Sequence, residues 1–372
     1  MKSTHLAALI PLAAIALTGA APPPDQTRVE MVRLAELPGS TLSGAEAVND
    51  AGVVVGYGIA TGFTVYPLRW DRPDRPVRLP VPPNTRSSLA TGVNRAGVVI
   101  GRAVTTNNVV LALRWNPDQR LVELRPLDGG SSEVAAVDDR GTAVGWTRSA
   151  TGVRAVRWDD EGNPADLGTL PGGTQSSANA INDGGLILGS ADDADGQWHP
   201  VVWQRDGSIS TVPLTTAVAV NNRGTIAGTL EHAVTLRADG RVTDLGLPFG
   251  ATNSYPIAIN DRGTVLGGIR TPEGRQRAVR WDKRGRAVDL GALTPESGSW
   301  AERINDHDEA IGLSTSSGQT DHAVFWDRRG RLVDLTPDPS TASDAYDLNN
   351  HGVVVGVLGG AYGNAVLWRT RK

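Results

Sequence analysis

Apolar residues in this chain fall in short runs of about five, alternating or β-branched, separated by turn residues that return at a fixed interval. One full unit reads Ser176-Ser-Ala-Asn-Ala-Ile-Asn-Asp183, then Gly185-Leu-Ile-Leu-Gly189, then Pro200-Val-Val-Trp203. The sixth unit extends the pattern through Ala278-Val-Arg-Trp-Asp282, a turn at Lys283-Arg-Gly285, and Ala287-Val-Asp-Leu-Gly291. Such segments predict four short strands per unit. An Asn-Asp-x-Gly turn joins the first strand to the second, a variable polar loop follows, and an Asp-x-x-Gly turn joins the third to the fourth.

Eight copies of the Asn-Asp turn begin at Asn49, Asn94, Asp138, Asn182, Asn221, Asn260, Asn305 and Asn349, a period of about 43 residues. A unit of this kind cannot bury both faces alone, so its neighbours must cover it. The predicted fold is all-β, an eight-bladed β-propeller of four-stranded blades, a ring without open sheet edges. Residues 33 to 48 align without a gap to residues 166 to 181, so the chain begins with a fourth strand, near Val29 to Leu34, that has no blade of its own. The eighth copy stops after its third strand at Ala365-Val-Leu-Trp368. Pairing the two is predicted to close the ring and hide two sheet edges. The repeats run without a linker, so residues 29–372 are read as one propeller domain.

Gly 44 and Pro 23 suit a turn-rich protein without long helices. Seven of the ten Trp occupy one repeat position, Trp70, Trp115, Trp158, Trp203, Trp281, Trp326 and Trp368, with Leu236 in the remaining copy. Their expected role is packing between blades. Arg precedes this position at Arg69, Arg114, Arg157 and Arg280; its stem is expected along the blade and its head on a carboxylate such as Asp166 or Asp289.

Residues 1–20 are read as a secretory signal peptide: Lys2, an apolar stretch from Leu6 to Leu17, and Thr18-Gly-Ala20 before the cut. Residues 21–28 form a Pro-rich leader. The expectation is a secreted product, extracellular or periplasmic, with no membrane insertion after cleavage. Absence of Cys excludes a lipid-modified cysteine, disulfides and thiolate chemistry. The formal charge of −4, with both signs interspersed, argues against nucleic acid as a partner.

The strings His322-Ala-Val-Phe-Trp-Asp327 and Asp166-Leu-Gly-Thr-Leu-Pro-Gly-Gly173, with Ser176-x-Ala178 and Ile181-Asn-Asp-x-Gly185, resemble the HAF-type extracellular repeat of exported bacterial proteins. The likeness covers essentially the whole chain after the leader, although the His-Ala-Phe triplet survives only as His322-Ala-Val and His232-Ala-Val. It implies a secreted or surface-exposed repeat domain and brings no catalytic residues with it.

Between the repeats the chemistry is sparse. His199, His232, His307, His322 and His351 show no metal-ligand spacing, and no cofactor motif is present. Asp192-Asp-Ala-Asp-Gly196 hints at calcium but lacks the full ligand series, and is read as a polar hairpin tip. A hydroxyl recurs at Ser43, Ser88, Ser132, Ser176, Thr215, Ser254, Ser299 and Ser343, expected to satisfy backbone groups where one blade follows another. The next column varies freely: Gly44, Leu89, Glu133, Ser177, Thr216, Tyr255, Trp300 and Asp344. It opens the innermost strand, where propeller ligands are expected. Trp300 and Tyr255 are the expected platform for a sugar ring, with Glu133, Asp344 and Leu89 elsewhere on the rim. The favoured function is therefore a binding module for an extracellular glycan or protein. A structural or matrix role and a propeller-type lyase or glycosidase, using carboxylates such as Glu133 and Asp344, are the alternatives.

Overall fold

The computed structural model describes residues 27–150, 152–336, 338, 340–360 and 363–371. The expected signal peptide and the expected leader up to residue 26 lie outside the described residues. The described residues form eight four-stranded antiparallel sheets. The first strands of the blades, numbered 1 to 8 in chain order, are Ser40–Val48, Thr85–Val93, Ser131–Val137, Ser176–Ile181, Thr216–Val220, Asn253–Ile259, Ser299–Ile304 and Ser343–Leu348. Each touches the first strands on both sides, and that of blade 8 touches that of blade 1, so they form the inner wall of a closed ring. The chain is an eight-bladed β-propeller, as the repeat predicts.

Closure follows the predicted pairing. Arg28–Arg33 lies antiparallel to Asn364–Arg371, with Met31 opposite Trp368 and Arg33 opposite Val366, and supplies the outer strand of blade 8. The two segments thus share one sheet, with Asn364–Arg371 paired on both sides and Arg28–Arg33 as the outer edge strand.

The repeated Trp side chains are fully buried between blades. Trp70 packs against Val355, Ala365 and Leu367 of blade 8, and Trp326 against Leu266 and Ala278 of blade 6. The indole N–H groups divide into two sets. Those of Trp70, Trp115 and Trp158 donate to the carbonyls of Ala35, Pro80 and Arg125. Those of Trp203, Trp281, Trp326 and Trp368 have no hydrogen-bond partner among the described residues. Each of these four follows an Asp-Leu-Gly or Asp-Leu-Thr turn, at Asp166, Asp244, Asp289 or Asp334, whose carboxylate takes the amide two residues on.

Hydroxyls staple the blades together. Ser43, Ser132, Ser176, Ser254, Ser299 and Ser343 accept the backbone N–H of Ala365, Ala112, Ala155, Ala233, Ala278 and Ala323 in the preceding blade. In blades 1 and 4 the donor position is Pro67 or Pro200, which has no N–H. Ser88 turns instead to the carbonyl of Arg102, and Thr215 lies exposed.

The arginines before the Trp do not reach the carboxylates expected of them. Asp166 pairs with Arg154 and Asp289 with Arg277, each three residues earlier on the third strand. Arg69 instead meets Asp71 and the carbonyl of Gly97, Arg114 meets Asp160, and Arg280 donates to carbonyls including Arg328. Arg157 is exposed. One face of the third strand turns its side chains toward the fourth strand's Asp, and the other crosses to the next blade's turn. Alternation places residues three apart on opposite faces.

Candidate functional site

The inner strands run from one face of the ring, the mouth, to the Asn-Asp turns at the other. At the turn end the first Asn of each repeat does two jobs. Its Oδ1 caps its own turn, as Asn49 does for the amide of Val53, and its Nδ2 donates to the same residue's carbonyl in the next blade. These links run through Asn94, Asn182, Asn221, Asn260 and Asn305, and Asn349 returns to Asn49. Asp138 breaks the belt, because a carboxylate has no proton to give. A second belt uses the next column: Asp50, Asp139, Asp183, Asn222, Asp261, Asp306 and Asn350 each accept a neighbouring blade's amide. Arg95, the exception, lies between Asp50 and Asp139. The two belts enclose a polar cavity of about 380 Å³.

Above the belts, Val48, Val93, Val137, Ile181, Val220, Ile259, Ile304 and Leu348 form an apolar collar around the channel. Every inner strand then carries a β-bulge at one height, skipping Glu46, Thr91, Ala135, Asn179, Val218, Ile257, Glu302 or Tyr346. The bulge explains the second Gly of the repeat. A Cβ on Gly56, Gly101, Gly145, Gly189, Gly228, Gly267, Gly312 or Gly356 would overlap the carbonyl oxygen of the variable-column residue opposite.

The wall between collar and mouth has two characters. Blades 5 and 6 carry Val218 and Ile257, whereas blades 7, 8 and 1 to 3 carry charge. A cavity of about 450 Å³ is lined there by Glu46, Arg102, Glu133, Arg303, Tyr346 and Asp347 among others. Glu133 faces Arg102 at 3.8 Å, and Asp347 accepts the amide of Val48 at 2.9 Å. Burial pushes the Glu46 carboxyl up, against the pull of Arg102. It raises Asp347 too, opposed by the Val48 amide and Arg303. Glu302 is raised by burial, lowered by Arg303 and raised by Asp344; Asp344 is raised by burial and by Asp321. The hydroxyls of Tyr57 and Tyr346 are held above their ordinary range by burial and by these carboxylates. Shifted groups gathered in one cleft mark a candidate site.

The five rim residues expected from the sequence do not form one cluster. Glu133 joins Arg102, whose register partner is Leu89. Asp344 lies beside Glu302 in the charged wall. Trp300 is 41% exposed, and Tyr255 is half-buried with its hydroxyl hydrogen-bonded to Gln276. A Cβ on Gly298 would meet the Trp300 ring, so Gly298 leaves room for that side chain. The sequence reading missed Glu46, Glu302, Tyr346 and Arg102. The first three vary from copy to copy as the rim column does, but only the bulge turns them inward.

Other large apolar side chains are also exposed on blades 4 and 5. Trp198, which opens the strand Trp198–Trp203 of blade 4, and Leu230, Leu247 and Phe249, from the connections of blade 5, are 44% to 59% exposed. Phe249 holds φ at 56°, a left-handed conformation costly for a bulky side chain. The Asp192–Gly196 segment is the expected hairpin tip: Asp192 caps the amides of Thr174 and Gln175, and Asp193 caps those of Asp195 and Gln197. His199, His232 and His322 each pair with an Asp, at Asp193, Asp244 and Asp334. Among the described residues no group of three or more His, Asp or Glu is arranged to hold a metal ion.

No family model and no curated protein matches the chain. Solved structures do. It is similar to a post-proline cleaving enzyme from Rickettsia typhi at 11% identity and a TM-score of 0.56, over 86% of this chain and 57% of that one. An acylaminoacyl peptidase from Pyrococcus horikoshii aligns at 13% identity and 0.52, over 88% and 59%. Virginiamycin B lyase from Staphylococcus aureus aligns at 10% identity and 0.48, over 92% and 99%. The chain thus spans somewhat over half the length of the two peptidases. At these identities the likeness is one of fold alone, and that fold is the β-propeller.

Proposed function

We propose that the protein is an exported propeller of the HAF repeat type that binds an extracellular glycan at its mouth. The observation that carries this reading is Trp300, an exposed aromatic on the rim of a channel whose wall toward blades 7, 8 and 1 to 3 is polar and charged. A sugar stacks its apolar face on such a ring while its hydroxyls reach carboxylates and amides. Export rests on the signal-like first twenty residues, and family membership on the repeated strings. Residues 21–372 applied to a glycan array should bind a restricted set of sugars, and Trp300→Ala should lose them. Binding unchanged by that substitution, or no binding at all, would sink the reading.

A second reading, a lyase or glycosidase, is favoured by one observation. Glu46 and Glu302 are carboxyls raised by burial in the channel, a state suited to general acids. Release of new reducing or unsaturated ends from a bound polysaccharide, abolished by Glu46→Gln or Glu302→Gln, would favour it over binding alone.

A further inference from the structure

We propose that the sugars recognised at the mouth carry free amino groups, with the ammonium seated between the face of Trp300 and the carboxylates of Glu302 and Asp344. This rests on the glycan reading above and names its substrate class. The strand Ser299–Ile304 carries both Trp300 and, at its bulge, Glu302. Blade 8 brings Asp344 to the position equivalent to Trp300. The two carboxylates repel each other, and Asp321 adds to the repulsion on Asp344.

Countercharge is supplied unevenly around the ring. Glu133 has Arg102 across from it, whereas among the described residues neither Glu302 nor Asp344 forms an ion pair. Arg303 spends a guanidinium N–H on the carbonyl of Glu302 at 3.1 Å. The blade 7 and 8 sector is therefore acidic on balance beside an exposed indole, with Glu302, Asp344 and Asp321 outnumbering the nearby cation, Arg303. An indole face attracts cations, and carboxylates give an ammonium its strongest hydrogen bonds. A neutral sugar would leave the repulsion in place, and an acidic one would add to it. The second aromatic, Tyr255, holds the equivalent position in the preceding blade, and two aromatics along the rim suit a chain of rings better than the single flexible ammonium of a lysine.

The test is calorimetric titration of residues 21–372 with β-linked oligomers of glucosamine, N-acetylglucosamine and glucose, and with a lysine-rich peptide, at about pH 6, where a good share of the amines is protonated. The glucosamine oligomer should bind roughly tenfold or more tightly than the other two sugars. Glu302→Gln and Asp344→Asn should each weaken it by about tenfold and flatten its salt dependence, with the melting temperature retained or raised. Equal affinity for acetylated or neutral oligomers overturns the amine assignment and leaves the glycan reading standing. Binding of the peptide with no sugar bound overturns both, in favour of a protein partner. Binding of no ligand in the set overturns the amine assignment, and the glycan array then decides the broader reading.

Discussion

The side-chain amide of Asn349 donates to the backbone carbonyl of Asn49 at 2.9 Å, across 300 residues of chain. The same bond links most neighbouring blades, so the contact that closes the ring is the repeat's own contact, made once more between the ends. It joins the inner strands of blades 8 and 1, while the pairing of Arg28–Arg33 with Asn364–Arg371 joins the chain ends on the outside. Two independent seams therefore hold the last blade.

A chain shortened to begin at Gly39 keeps the inner seam and loses the outer one. It exposes the strand Asn364–Arg371 as an edge with Met31 and Val29 stripped from the core around Trp368. Thermal unfolding should fall far below that of the mature chain, with aggregation. An unchanged melting temperature would show that the outer seam contributes little.

Asn221 caps Arg223 and Thr225 through Oδ1 and donates to Asn260 through Nδ2. Asn221→Ala leaves the buried carbonyl of Asn260 and the part-buried amides of Arg223 and Thr225 without these partners and should cost about 2–4 kcal/mol in denaturant unfolding. Asp138→Asn is the reverse case. It keeps the caps on Arg140 and Thr142 and adds the missing donor toward blade 4, so it should stabilise by about 1 kcal/mol. A destabilised Asp138→Asn protein would mean the carboxylate is required there.

Trp281 and Trp300 offer a matched pair of truncations. Trp281 is fully buried between blades 5 and 6, and its loss should cost about 3–5 kcal/mol. Trp300 is 41% exposed, so Trp300→Ala should change stability by about 1 kcal/mol or less while removing ligand. A Trp300→Ala protein as unstable as Trp281→Ala would identify Trp300 as core and end the platform argument.

Burial raises the carboxyls of Glu46 and Asp347 in the folded state. A carboxyl that holds its proton more tightly when folded opposes folding once pH rises above its unfolded value. Glu46→Gln and Asp347→Asn should therefore raise the melting temperature at neutral pH. The gain should fade as pH falls through the raised range toward about 4, where the unfolded carboxyls also protonate. Melting curves of each variant across that range decide it; a gain that persists in acid would refute the charge explanation.

The sequence by itself determined the architecture, because the repeat writes its own contacts. Asn49 and its equivalents lie in the turn that makes the belt, the hydroxyl column in the strand that makes the staple, and the Trp column in the seam between blades. Even the exceptions were written, since Pro67 and Pro200 remove the donors that Ser88 and Thr215 would have met. What only the tertiary structure decided is where a non-repeating residue points. Local alternation would have turned Glu46, Glu302 and Tyr346 by a fixed rule, but the bulge shifts register by one residue and redirects them. The rim residues Trp300 and Glu133 are equivalent by sequence yet lie in blades four apart, on opposite sides of the channel, because ring position follows from counting blades. Likewise Arg157 and Arg280 miss Asp166 and Asp289, since pairing across a sheet depends on which face each side chain leaves. Repeated positions carry their environment with them around the ring; a single charged side chain acquires its neighbours only when the ring closes.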